Sequence, residues 1–130
     1  PYALVGDHTG KLLYIGDSNV IWRLNVSTGF AEVIAGNMTQ SVADGTEGSV
    51  TSVRFNSMRG LWWNSANSLY ITDFGNYRIR VLNLTSMEVR TVAGNGTNSF
   101  HGDNGPATLA CISSAFGIWE STEGNIFFAD

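Results

Sequence analysis

Lysine is almost missing from this chain: Lys11 is the only one, and seven Lys and Arg residues face eleven Asp and Glu for a formal charge of −4. No basic cluster is left to neutralise a run of phosphates or to hold an anionic membrane, so nucleic acid is excluded as a partner. Cysteine is equally scarce. Cys111 stands alone, so no disulfide closes within the chain; its ordinary reading is a small buried hydrophobe, with a bond to a cysteine elsewhere as the alternative. No apolar run approaches the roughly 20 residues a membrane-spanning helix needs, and membrane insertion is not expected. Residues 1–10 lack the charged and apolar regions of a leader, but the patterned sequence runs up to both ends. Flanking segments are therefore expected outside these 130 residues, and the missing leader excludes nothing about export.

Catalytic signatures are also missing. There is no G-x-S-x-G elbow and no phosphate-cradling glycine loop ahead of a helix. His8 and His101 lie in presumed loops without a second His or Cys at ligand spacing, so no metal site and no cofactor site is assigned. Asp103-Asn104-Gly105 and Asp44-Gly45 carry oxygen ligands without the alternation of a calcium loop, and read as turns. No residue is assigned a catalytic role, and the chain is not expected to be an enzyme.

What is present is a repeat. Leu13-Tyr14-Ile15-Gly16-Asp17, Leu69-Tyr70-Ile71-Thr72-Asp73 and Ile126-Phe127-Phe128-Ala129-Asp130 end in aspartates 56 and 57 residues apart. Gly60-Leu61-Trp62-Trp63 and Gly117-Ile118-Trp119-Glu120 stand 57 apart, and Ile34-Ala35-Gly36-Asn37 and Val92-Ala93-Gly94-Asn95 stand 58 apart. Within one period, four short apolar or alternating runs at about 59–64, 68–73, 77–84 and 87–93 are separated by turn formers. A Gly-, Ser-, Asn- and Asp-rich stretch over roughly 94–113 then leads to the next unit. This predicts an all-β chain of four-stranded antiparallel meanders arranged as β-propeller blades. About two and a half blades fit, at about 1–36, 59–94 and, in part, 115–130. A single four-stranded sheet that is apolar on both faces needs neighbours on each side, which radial repetition supplies. Trp62, Trp63, Trp119, Tyr70, Phe127 and Phe128 are accordingly expected to pack between blades. The recurring Asp17, Asp73 and Asp130 read as turn openers that accept amides two residues on. Arg78 and Arg80 are expected to share a strand face and to meet solvent or a turn carboxylate.

The segments LYITDFGNYRIRVL (69–82), TVAGNG (91–96) and GDNGPA (102–107) resemble the NHL-repeat family of β-propellers. In the first copy the corresponding run shortens to Asn19-Val20-Ile21-Trp22-Arg23, and the last motif to Asp44-Gly45. The resemblance implies a ring of about six blades, of which this chain holds a part; either it belongs to a larger propeller or blades of several chains stack. Functions in that family range from RNA binding through adhesion to lyases and hydrolases, so the fold alone selects none of them.

Four sequons occur in register: Asn25-Val26-Ser27 with Asn83-Leu84-Thr85, and Asn37-Met38-Thr39 with Asn95-Gly96-Thr97, each pair 58 apart. The blade model puts Asn25 and Asn83 in the turn between third and fourth strands, and Asn37 and Asn95 at the opposite blade end. All four are candidate N-glycosylation sites, and turn chemistry copied with the repeat is the competing explanation. The expectation is a noncatalytic extracellular or cell-surface module for adhesion or structural assembly, including a subunit of a fibre or surface appendage. Its expected partners are other copies or flanking blades, N-linked glycans and other extracellular proteins or glycans. The alternative is the scaffold part of a secreted propeller enzyme, a lyase or hydrolase, whose active site lies elsewhere.

Overall fold

A computed structural model describes residues 1–39 and 47–130; Asp44 and Gly45 lie outside them. Eleven strands are present among the described residues. Strands β1 (Ala3–Gly6), β2 (Leu12–Asp17), β3 (Val20–Asn25) and β4 (Ala31–Gly36) form the first sheet in sequence order. In the second sheet β6 (Gly60–Asn64), β7 (Ser68–Asp73), β8 (Arg78–Asn83) and β9 (Glu88–Ala93) repeat the meander, and the two-residue β5 (Gly48–Ser49) pairs with the outer edge of β9. β10 (Ile118–Glu120) and β11 (Ile126–Phe128) make an antiparallel hairpin. All pairings are antiparallel, and both full meanders carry a register shift between their third and fourth strands, at Ile21/Trp22 and Ile79/Arg80. The repeat lengthens before this point: Ser18 and Asn19 separate the second and third strands of the first sheet, whereas residues 74–77 do so in the second, which takes the spacing from 56 at Asp17/Asp73 to 58 at Val20/Arg78.

The sheets stack face to face as partial propeller blades, with β1, β6 and β10 side by side along the inner edge. The core between the first two sheets joins Tyr14, Ile21 and Ile34 to Leu61, Leu69, Ile71, Leu82 and Val89. Val50, Val53, Phe55 and Met58, from the connection between the sheets, close it. A second core joins Trp62, Tyr70 and Ile79 to Ile112, Ala115, Ile118, Ile126 and Phe128. Period-2 alternation explains the division: Leu69 and Ile71 face the preceding sheet, while Tyr70 faces the following hairpin.

Gly36 and Gly94 end the fourth strands with φ of +88° and +90°, a left-handed backbone that glycine adopts without strain. A Cβ on Gly36 would run into the Asn19 carbonyl, and one on Gly94 into the Tyr77 carbonyl. The Ala-Gly-Asn repeat is therefore the signature of the chain turning tightly off the outer edge of each blade.

Candidate functional site

A residue one or two positions before each first strand recurs at a spacing of 57: Tyr2, Arg59 and Phe116. Its backbone N–H bonds the carbonyl that closes the second strand of the same blade, Gly16 for Tyr2 (2.9 Å), Thr72 for Arg59 (3.1 Å) and Ala129 for Phe116 (2.9 Å). One register thus brings three side chains to the same end of the stack, at its inner rim. The Arg59 guanidinium lies 4.4 Å from the centroid of the Tyr2 ring and 5.3 Å from that of Phe74, and Phe74 meets Phe116 at 5.3 Å. Phe74 belongs to the turn after β7, a short 3-10 segment. Gly60 makes the approach possible, because a Cβ there would collide with the Phe116 carbonyl. Thr72 Oγ1 donates to that same carbonyl at 2.8 Å. Tyr2 and Phe116 are half exposed, at 56% and 50%. The Nε of Arg59 is buried without a hydrogen-bond partner. Sequence reading passed over these positions because Tyr, Arg and Phe share no chemistry; counting one residue upstream of each first-strand glycine would have found two of them.

The recurring aspartates act differently from the expectation. Asp73 does not bond amides two residues on. Its Oδ1 accepts the N–H of Asn56, 17 residues upstream in the connection entering the blade, at 2.8 Å. Asp130 accepts the N–H of Ser113 in the equivalent place at 2.9 Å, and that of Ser114. Asp17 lies 3.5 Å from the amino group of Pro1. Asp73 and Asp130 thus pin the incoming backbone to the end of the second strand, which is a structural task. Asp73 also accepts from Asn76 Nδ2 at 2.8 Å and sits 3.5 Å from Arg80 Nη1, both side chains fully buried. Burial outweighs these contacts and pushes its carboxyl up to about 6. Arg80 therefore meets a carboxylate as expected, but inside the stack and away from solvent. Arg78 instead donates to the carbonyls of Asn76 (3.0 Å) and Asn95 (3.1 Å).

The four sequon asparagines share one local geometry. Asn25 Oδ1 accepts from the backbone of Ser27 and Thr28, and Asn83 Oδ1 from Thr85 and Ser86, each at the end of a third strand. Asn37 Oδ1 accepts the Thr39 N–H at 2.9 Å and Asn95 Oδ1 the Thr97 N–H at 2.8 Å. Cross-strand register puts the two pairs at opposite ends of their sheets. Asn95 differs in its other atom: Nδ2 donates to the Leu109 carbonyl (3.1 Å) and to Cys111 Sγ (3.4 Å). Cys111 is half-buried rather than part of the apolar core, with His101 Nε2 3.5 Å from its sulfur. His8 stacks on Trp63 with ring centroids 5.1 Å apart. Among the described residues no group of three His, Cys, Asp or Glu side chains converges.

The outermost faces are open. Trp119 and Phe127, expected between blades, pair across the hairpin at 4.6 Å and are 48% and 47% exposed on the side away from the second sheet. On the far side of the first sheet, Leu4, Ile15, Trp22 and Val33 form a cross-strand row, and Leu4 is 64% exposed.

No family model matches this sequence, and no curated protein matches it. Solved structures do. An auxiliary nutrient binding protein from Bacteroides thetaiotaomicron VPI-5482 is similar at TM-score 0.75 and 24% identity, over 98% of this chain and 34% of that one. A protein of the same description from Bacteroides ovatus ATCC 8483 gives TM-score 0.75 at 20% identity, again covering 34% of its length. A putative phosphatase from B. thetaiotaomicron gives TM-score 0.71 at 17% identity over 31% of its chain. The chain thus shares a fold with parts of larger proteins, spanning 34% or less of these three.

Proposed function

We propose that this chain is a noncatalytic extracellular module of NHL type, glycosylated on its exposed turns, which serves adhesion or structural assembly by stacking blade on blade. The observation behind this reading is that its two open faces are the two halves of an interface it already uses twice. Trp119 and Phe127 occupy the repeat positions of Trp62 and Tyr70, which the hairpin covers. Leu4 and Ile15 occupy those of Leu61 and Ile71, which the first sheet covers. Each open face therefore fits the other, on a second copy or on flanking blades. Such a head-to-tail contact either closes a ring or runs on as a filament. The binding-protein descriptions of two similar structures agree with a noncatalytic role.

Sedimentation velocity of this chain from about 1 to about 100 μM tests the reading, because mass action drives a stacking equilibrium. The weight-average sedimentation coefficient is expected to rise with concentration. A single monomeric boundary throughout contradicts it.

A second reading, the scaffold part of a secreted enzyme, draws on the similar structure described as a putative phosphatase. It predicts clustered acidic or histidine side chains on first strands in sequence flanking this segment.

A further inference from the structure

Arg59 is the one cation of the inner rim row Tyr2, Arg59, Phe74 and Phe116. Its guanidinium is held against two rings, yet none of its N–H groups makes a hydrogen bond or an ion pair among the described residues. Most arginines of this chain are used differently. Arg23 is forked on Glu32, Arg54 and Arg78 bind carbonyls, and Arg80 meets Asp73. Arg59 combines a fixed orientation with unspent donors.

Ring contacts restrain the plane of a guanidinium, and with Nε buried the Nη1/Nη2 edge is the one left to take a carboxylate through two parallel hydrogen bonds. Beside it, the half-exposed rings of Phe116 and Tyr2 offer apolar faces at the same end of the stack. Such faces accept the flat side of a sugar or an aromatic ring. The backbone bonds of Tyr2, Arg59 and Phe116 to the second strands, and the Thr72 bond to the Phe116 carbonyl, hold the row on the sheet framework. The site is thus preorganised.

We propose that the inner rim is a ligand site for a carboxylate carried on a flat ring, with Arg59 gripping the carboxylate and Phe116 and Tyr2 receiving the ring. The proposal goes beyond blade stacking. A sugar acid and an aromatic acid share this chemistry, and the probes separate them.

The test is calorimetric or NMR titration of the chain with trigalacturonate, with benzoate and with neutral trigalactose. Saturable binding of at least one acid, with no binding of the neutral sugar, supports the site. Trigalacturonate alone assigns it to saccharides, and benzoate alone to aromatic acids. Arg59→Met is expected to weaken binding at least about tenfold, and Arg59→Lys, which keeps the charge but loses the fork, by about threefold or more. Phe116→Ala provides a second variant at an exposed position and is expected to weaken binding of the same acid. No binding of either acid at about 10 mM, the range in which a single exposed ion pair would already be saturating poorly, overturns the proposal. So does unchanged affinity in Arg59→Met that circular dichroism shows to be folded.

Discussion

At the scale of single residues, Asp73 shows how a surface-looking residue type becomes a core fastener. It is fully buried, with Asn56, Asn76 and Arg80 as donors. Removing the carboxylate in Asp73→Ala leaves these donors without it and is expected to cost about 3–5 kcal/mol, measured by urea unfolding. The pH dependence follows from the raised carboxyl. A folded value of about 6 against an ordinary 3.8 means that the folded state holds its proton more tightly. The contribution of this group to stability is therefore full below about pH 3.8 and is lost as pH rises through about 6. Compared with Asp73→Asn, which does not titrate, the wild-type chain is expected to gain stability between pH 7 and pH 4; a constant difference contradicts this. The aspartate recurrence was visible in the sequence, but its partner was not. An amide 17 residues upstream becomes a neighbour only when the incoming connection folds back over the end of the second strand.

The sequons belong to the same scale. Among the described residues, the Nδ2 atoms of Asn25, Asn37 and Asn83 make no hydrogen bond, whereas that of Asn95 is committed to Leu109 and Cys111. If the chain is glycosylated, Asn95 is expected to carry the lowest occupancy of the four, read by glycopeptide mass spectrometry of native material. Full occupancy at Asn95 with bare Asn25 and Asn83 would reverse the structural argument. The register of 58 was readable from sequence. That one copy of a repeated sequon turns its nitrogen inward depends on Leu109 and Cys111, in a connecting loop that the first copy does not match.

At the scale of elements, the strands of the second blade were readable because alternation and turn formers coincide there. The expected runs at about 59–64 and 68–73 became Gly60–Asn64 and Ser68–Asp73. The two-residue β5 was not readable, since a strand so short carries no periodicity; it exists because the outer edge of β9 accepts it. The rim row was equally hidden, since its geometry rests on Gly60 letting the Phe116 carbonyl approach. Gly60→Ala is expected to destabilise the chain by about 1–3 kcal/mol through that collision. It should also move Phe116 away from Phe74, seen as a changed ring-current shift in NMR spectra. An unaltered melting temperature and spectrum would show that the packing at β6 is looser than described.

At the scale of the whole molecule, composition and repeat spacing indicated that one blade cannot stand alone, and the stacked sheets show what that means physically. Each blade has a face toward the preceding blade and a face toward the following one, and among the described residues one of each is uncovered. Burying an apolar side chain such as Phe127 or Leu4 contributes about 1.5–3 kcal/mol, so a few such residues suffice to drive association. Whether the cover comes from flanking blades or from other copies was not written in the residues, because both would present the same face.

Mixing two face-disabled variants tests this account most directly. Trp119→Lys with Phe127→Lys disables the following face, and Leu4→Lys with Trp22→Lys disables the preceding face; circular dichroism first establishes that both remain folded. Each variant alone is expected to stay monomeric. Mixed together, they are expected to form a one-to-one dimer in sedimentation velocity and to grow no further, since each retains one working half of the interface. Persistent monomers in the mixture, with both variants folded, would contradict blade-on-blade assembly through these faces.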